Sequence, residues 1–165
     1  MSILEEIKQG ESKTLEFKEK LPNSQGIAKS IIAFSNTTGG KLIIGLDDKG
    51  SIKGIEDDIF ELQDRVSSII SDNVYPNVIP NIYLQNIDGK IILVIEVFRG
   101  TLLPYYFKSH GKTEGVYIRI GATNRKASME NIIELERQRS NITFDEEINL
   151  NYKIDDLDLK ELEKE

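Results

Sequence analysis

Four carboxylates are the residues of this sequence whose types and spacing could support chemistry. Glu11 lies five residues before Glu16, and Asp47 and Asp48 follow a short apolar run. The chain has no cysteine and a single histidine, His110, which excludes structural zinc and other sites that need thiolate or imidazole ligands. Any bound metal would therefore be magnesium, manganese or calcium held by carboxylate oxygens.

Each carboxylate also has an ordinary structural interpretation. Glu16 shares the polar face of a predicted strand with Lys18, where both side chains would be solvated and could join a cross-strand ion pair. The odd separation puts Glu11 on the opposite face from Glu16 unless Glu11 lies in the loop before the strand. Asp47 and Asp48 occupy a predicted turn, where aspartate is common. Spacing alone leaves both interpretations open.

Charge is distributed unevenly along the 165 residues. The formal net charge is −7, but residues 141–165 carry nine acids against three lysines, so the rest of the chain is nearly neutral. Residues 99–126, named here the basic block, contain one acid, Glu114, and the following cations: Arg99, Lys108, Lys112, Arg119, Arg125 and Lys126. Local positive charge attracts phosphates whatever the global sign, so the basic block predicts a nucleic-acid surface.

The aromatic residues and the histidine of this block are less specific signals. Tyr105, Tyr106 and Phe107 have the composition of a base-stacking surface, but half of such aromatics in alternating strands belong to the core. His110 lies in a polar loop flanked by glycine, which favours an exposed histidine over a general base. These residues alone do not separate binding from packing.

The elements that must position these residues form a predicted α+β fold, with helices packed on one mixed or antiparallel sheet. Asp88-Gly89 is a hairpin signal between two strands. Gly39 and Gly40 end a helix rather than form a Walker A loop, since that motif would require glycine in place of Ser35. The predicted helices cover about 2–8, 24–38 and 58–72 and start again near 128; the predicted strands cover 14–18, 41–46, 51–55, 82–87 and 90–98, with two more between 104 and 121.

The predicted domain covers residues 1–140, and residues 141–165 form an acidic tail or a linker to a missing C-terminal region. No apolar run reaches the roughly 18 residues needed to span a bilayer, and the N-terminus lacks a signal-peptide core. We therefore expect a cytoplasmic protein without membrane contact.

Three ordered blocks resemble the Schlafen-type AlbA-like domain, a family also labelled divergent AAA. The blocks are "ESKTLEFKEK", "IAKSIIAFSNTTGGKLIIGLDDKGSIKGIE" and "GVYIRIGATNRKAS", and the likeness covers roughly residues 10–140. The resemblance implies a single lobe of the Schlafen core. It also implies a DNA- or RNA-binding domain at the N-terminus of a bacterial transcriptional regulator.

The same resemblance implies an alternative function, a metal-dependent endoribonuclease. Animal Schlafens are similar to RNA endonucleases that use three carboxylates, which fall here on Glu11, Glu16 and Asp48. These would hold magnesium or manganese, and Lys18 would steady the charged phosphate. The animal core has two lobes in one chain, so a single lobe would form the RNA cradle as a homodimer. ATP binding or hydrolysis is a weaker alternative, because the Walker A loop does not match.

Overall fold

The structure is a computed structural model that describes the backbone of residues 2–164 and the side chains of residues 2–148. The order of elements within this range confirms a mixed α+β fold. The helices are α1 (Ile3–Gln9), α2 (Ser24–Asn36), α3 (Ile59–Asn73), α4 (Gly111–Glu114) and α5 (Met129–Lys164), and the strands are β1 (Leu15–Lys18), β2 (Gly40–Ile44), β3 (Val74–Tyr75), β4 (Asn81–Ile87), β5 (Lys90–Val97), β6 (Tyr106–Phe107), β7 (Tyr117–Ile120) and β8 (Thr123–Lys126).

A four-stranded mixed sheet with the order β1-β2-β5-β4 forms the centre of the fold. β1 runs parallel to β2, whereas β2–β5 and β5–β4 are antiparallel. Asp88 and Gly89 form the two-residue turn between β4 and β5, and their φ angles of 52° and 85° suit a hairpin turn, which confirms the predicted hairpin. The β3–β6 and β7–β8 pairs form two separate ribbons.

β2 is buried on both faces, as its continuous apolar run predicts. Leu42 and Ile44 belong to the larger core, which the sheet shares with α2, α3 and the start of α5. Ile43 lies on the other face, in a smaller core with Ile3 and Ile7 of α1. The sheet is therefore enclosed between α1 on one face and α2, α3 and the start of α5 on the other.

The glycine pair after α2 is a helix terminator with a close packing contact. Gly39 has a φ angle of 71° and donates its N–H to the Phe34 carbonyl at 2.7 Å. A Cβ on Gly40 would lie 2.5 Å from the Phe34 ring, so that position has no room for a side chain. These contacts confirm the structural interpretation of the pair.

The predicted strand at residues 51–55 does not form. Ile52 makes a single bridge to Leu46, and the chain then turns so that Lys53 and Gly54 both donate their N–H groups to the Gly45 carbonyl. Gly54 has a φ angle of 82°, a conformation that ends extended structure. The prediction was wrong because one glycine interrupts an apolar alternation.

α5 continues through the acidic segment that follows residue 140. Its backbone is helical to Lys164, whereas the side chains from residue 149 onward lie outside the described residues. The proposed division at residue 140 therefore stays a prediction. Among the helices that the structure describes, none combines the length and the apolar character that a membrane crossing needs.

α2 begins at Ser24 as predicted, whereas α3 begins at Ile59, one residue later than predicted, and the caps set both positions. Asn23, next to Ser24, caps α2 by accepting the N–H of Gly26 at 2.7 Å. Asp58, next to Asp57, caps α3 by accepting the N–H groups of Phe60 and Glu61. Adjacent capping residues of similar type make the choice hard to predict.

We expect Asp58→Ala to lower the free energy of unfolding by about 1 kcal/mol, because it removes a helix cap. Asp57→Ala is the matched control, since the Asp57 side chain makes no hydrogen bond among the described residues. Urea unfolding monitored by circular dichroism measures both. Equal losses in the two variants would contradict the assignment of the cap to Asp58.

Candidate nucleic-acid interface

Glu16 is buried, which makes the prediction of a solvated strand face wrong. Its side chain keeps 10% of its accessible surface, and Oε1 accepts a hydrogen bond from Arg119 Nη1 at 2.8 Å. Oε2 accepts the hydroxyl hydrogen of Ser30 on α2. The face that carries Glu16 is covered because α2 and the β7–β8 ribbon pack against it, so the carboxylate lies inside the fold.

Arg119 offsets the free-energy cost of burying the Glu16 carboxylate. All five of its guanidinium N–H groups are hydrogen-bonded. Nη1 donates to Glu16 and to Asn124 Oδ1, both at 2.8 Å. Nε and Nη2 donate to the Ser12 carbonyl, and Nη2 also donates to the Leu15 carbonyl at 3.1 Å. The side chain is fully buried. Arg119 was predicted to bind nucleic acid, but the structure places it in the interior with no donor left for a phosphate.

The register of the β7–β8 ribbon assembles the rest of this buried cluster. Asn124 lies directly opposite Arg119, and its Nδ2 donates to Ser30 Oγ at 3.1 Å. The guanidinium also lies 4.9 Å from the centre of the Phe34 ring. Sequence reasoning missed Ser30 and Asn124. The predicted strands end by residue 121, so β8 and its Asn124 were not expected, and Ser30 gave no local signal within the predicted helix at 24–38.

Glu11 reaches β1 from the preceding loop, as the family resemblance implied. Its Oε1 accepts the backbone N–H of Phe17 at 2.9 Å. β1 is an edge strand, and the backbone groups of Leu15 and Phe17 point away from β2. Glu11 and Arg119 therefore occupy polar groups that the edge would otherwise expose, which protects it from pairing with another chain.

Asp47 and Asp48 behave differently from each other. Asp47 Oδ1 accepts the N–H groups of Ser51 at 2.8 Å and Lys49 at 3.0 Å, and these backbone hydrogen bonds, led by that of Ser51, hold the pKa of Asp47 below its usual value. This confirms the turn interpretation for Asp47. Asp48 is exposed on the same turn.

These carboxylates do not fit a bound metal ion. Both oxygens of Glu16 are engaged by Arg119 and Ser30, and one oxygen of Glu11 is engaged by Phe17. In residues 2–148, no three His, Cys, Asp or Glu side chains are close enough to share a metal ion. Lys18 is exposed at the end of β1. A magnesium or manganese site at Glu11, Glu16 and Asp48 stays a prediction without geometric support.

The exposed cations of the basic block have different surroundings. Lys112 pairs with Glu136 at 3.0 Å, and Lys108 donates to the Ser71 carbonyl at 2.8 Å. Lys126 pairs with Glu114, and this hydrogen bond lowers the pKa of the glutamate and raises that of the lysine. Exposed pairs of this kind contribute little stability and exchange readily for other partners.

Arg99 lines a cleft with a volume of about 520 Å³. Lys13 contributes a second cation, and the amide of Gln138 accepts a hydrogen bond from Arg99. The lining also includes Glu134, whose carboxylate is bound by Arg137 and Gln138; these hydrogen bonds, that of Arg137 first, lower its pKa to about 2. The one carboxylate of the lining is thus already neutralised, and the two cations favour an anion in this cleft.

Arg125 neighbours the cleft by its register without being part of its lining. It lies opposite Ile118 across the β7–β8 ribbon, and paired residues share one face of a ribbon. Ile118 lines the cleft, and Arg125 is exposed. We name Lys13 and Arg99 of the lining, together with the neighbouring Arg125, the cleft cations.

The aromatic residues of the basic block mostly belong to the core. Tyr105 and Phe107 are buried in the larger core, and Tyr106 is half-buried beside Tyr75 at 5.6 Å between ring centres. His110 is exposed, as predicted, and its Nδ1 lies 2.9 Å from Ser109 Oγ. The base-stacking interpretation therefore does not apply to Tyr105 and Phe107.

Residues 11–128 match the family model described as Schlafen, AlbA_2. The chain belongs to the Schlafen AlbA_2 family. This membership indicates a function related to nucleic acids. The matched range ends just before α5 and contains the buried cluster, and it includes Lys13, Arg99 and Arg125.

One solved structure supports the fold of this Schlafen AlbA_2 domain, and a second shows a weaker likeness. The DIP2311 protein from Corynebacterium diphtheriae is 23% identical with a TM-score of 0.57, over 76% of this chain and 24% of that chain. The N-terminal domain of a RecG-related protein from Nitrosomonas europaea is 26% identical with a TM-score of 0.48. The match covers 70% of this chain and 82% of that chain. The chain thus spans about a quarter of the Corynebacterium protein. No curated protein matches the sequence.

We expect Arg119→Met to lower the free energy of unfolding by roughly 3–5 kcal/mol, because it leaves the Glu16 carboxylate buried without its counter-charge. Arg125→Met is the matched control, because Arg125 is exposed on the next strand and should change stability by less than about 0.5 kcal/mol. Urea unfolding measures both. The buried-pair assignment is wrong if the two variants unfold at the same urea concentration.

Proposed function

We propose that this Schlafen AlbA_2 domain binds nucleic acid through its phosphate backbone at the cleft between the loop before β1, the end of β5 and α5. The observation that carries the proposal is that Lys13 and Arg99 line one cleft whose carboxylate, Glu134, is bound by Arg137. Three segments far apart in sequence supply the cleft cations, so the positive surface is a product of the fold. Family membership supports the same class of function.

The character of the lining favours backbone contacts over base-specific recognition. Lysine, arginine, threonine and side-chain amides are the groups that usually bind phosphate and sugar oxygens. The exposed pairs of Lys112 with Glu136 and of Lys126 with Glu114 could also exchange their carboxylates for phosphates. A bound DNA or RNA strand would therefore be held in place with little preference for sequence, as suits a general module of a transcriptional regulator.

The endoribonuclease alternative has less support in this geometry. Its three carboxylates serve other purposes here: Glu16 neutralises Arg119, Glu11 binds the edge of β1, and Asp48 lies on an exposed turn. Cleavage would require Glu16 to leave a fully hydrogen-bonded buried pair. Binding without cleavage is the simpler function of this arrangement.

We expect Lys13→Gln/Arg99→Gln to weaken binding of a labelled oligonucleotide to any sequence and to flatten its dependence on salt. Each lost phosphate contact should reduce the slope of log K against log salt by about 0.7 for single strands and about 0.9 for duplexes. Lys49→Gln is the matched control, because Lys49 is an exposed lysine on the turn after β2 and does not line the cleft. Fluorescence anisotropy at several salt concentrations measures the slopes.

The double variant and the control would show the same slope if the cleft were not the binding surface. Incubation of the wild-type domain with labelled RNA and manganese, analysed on a denaturing gel, tests the alternative. Cleavage that Glu16→Gln abolishes, while Arg119→Met leaves it in place, would favour the endonuclease over the binding module.

We also propose that the domain forms a homodimer through the open edge of β4. The seven residues Asn81–Ile87 carry no charge and no proline, and they pair with β5 without a bulge. Among the described residues, no side chain or loop hydrogen-bonds to the outer backbone groups of β4, whereas those of β1 are bound by Glu11 and Arg119. An uncovered, uncharged edge pairs readily with a second copy, and a two-fold pair is the commonest arrangement.

We expect Asn81→Lys/Gln85→Lys to convert the dimer to a monomer in analytical ultracentrifugation, because lysines on an edge strand oppose pairing. Position 81 faces Glu96 across the β4–β5 hairpin, so a cation introduced there has an acidic neighbour and the fold of each copy should be kept. Asn141→Lys on the exposed surface of α5 is the control. A wild-type domain that sediments as a monomer at every concentration would overturn the proposal.

A further inference from the structure

A second, smaller pocket adjoins the cleft at the end of β5. It has a volume of about 170 Å³, and the residues that define its chemistry are Ser35, Asn77, Ile79, Phe98 and Tyr105. Phe98 lines this pocket, and the next residue, Arg99, lines the cleft. One chain segment thus borders both sites.

The wall of this pocket contains a buried hydroxyl without a hydrogen-bond partner. Ser35 is 1% exposed, and its Oγ has no partner among the described residues. Serine within a helix normally donates to the carbonyl four residues earlier, and this bond is not made. Buried polar groups are nearly always paired, so this hydroxyl is free to bond a polar atom that enters the pocket.

The rim of the pocket is apolar and exposed. Phe98 keeps 76% of its accessible surface and Ile79 keeps 86%. An aromatic ring exposed beside a cation is the combination with which proteins bind single-stranded nucleic acid, because the ring stacks on a base and the cation binds the neighbouring phosphate. The small volume suits one ring system rather than a peptide segment or a folded partner.

We propose that this pocket receives one unstacked base of a single-stranded nucleic acid, with the ring of Phe98 against the base and the Ser35 hydroxyl bonded to its polar edge. The inference rests on the proposed function, since the adjoining phosphate occupies the cleft beside Arg99. It makes single-stranded DNA or RNA, or an unpaired loop, the preferred substrate. A duplex base remains stacked and cannot enter the pocket.

The test compares Phe98→Leu with Phe60→Leu, which removes an equally exposed ring from α3. Binding is measured by anisotropy with a single-stranded oligonucleotide and with its duplex. We expect Phe98→Leu to weaken single-strand binding by about 5- to 100-fold, the usual effect of losing one stacked base, and to leave duplex binding unchanged. Phe60→Leu should change neither. Ser35→Ala, which removes an unpaired hydroxyl and should keep the fold, is expected to weaken single-strand binding alone.

A fluorescent 2-aminopurine in the oligonucleotide gives a second readout. Stacking on Phe98 should quench its emission on binding, and Phe98→Leu should abolish this quenching. Single-strand binding that depends on Lys13 and Arg99 but not on Phe98 would overturn the base pocket and keep the proposed function. The absence of binding to either oligonucleotide would overturn both. A change in oligomeric state in Phe98→Leu, with unchanged single-strand affinity, would identify the rim as a protein contact instead.

Discussion

The buried ion pair between Glu16 and Arg119 is the interaction on which the arrangement of this domain depends. A charge in the interior is costly unless it is paired and every donor is satisfied, and here five donors find five acceptor contacts. The acceptors come from the loop before β1, from β1 itself and from β8. One guanidinium thus holds the β7–β8 ribbon against the sheet, and the ribbon brings Ile118 to the cleft and Arg125 beside it.

The Glu16–Arg119 pair also separates the two interpretations of the acidic residues, as metal ligands and as groups that stabilise the fold. A carboxylate that holds a metal ion needs free oxygens directed at a shared point. Glu16 instead directs both oxygens at protein donors, and Glu11 uses one oxygen to complete the edge of β1. In this geometry Glu16 and Glu11 stabilise the fold, and the proposed binding of nucleic acid would depend on the cleft cations.

Local sequence was sufficient to predict most elements, because helix caps, the Asp88-Gly89 turn and the run of β2 act within a few residues. Local sequence gave a wrong prediction at residues 51–55, because Gly54 interrupts the apolar alternation there. It also failed for Glu16, because the partner that buries this carboxylate lies 103 residues away. Alternation within β1 gives the face of a side chain, but only the packing of α2 and the β7–β8 ribbon decides whether that face is solvated.

The basic block also shows that local sequence does not predict which side chains share a surface. Its residues are neighbours in sequence, yet Arg119 is buried, and Lys112 and Lys126 have acidic partners, while Lys13 joins the positive surface from outside the block. Three cleft cations neutralise few phosphates, so one domain alone should bind weakly at physiological salt. Two copies joined at β4 would present two clefts to one strand, and the second contact would then form at a high effective concentration. If both proposals hold, pairing of the domains at the open edge would supply the affinity that a single small cationic surface lacks.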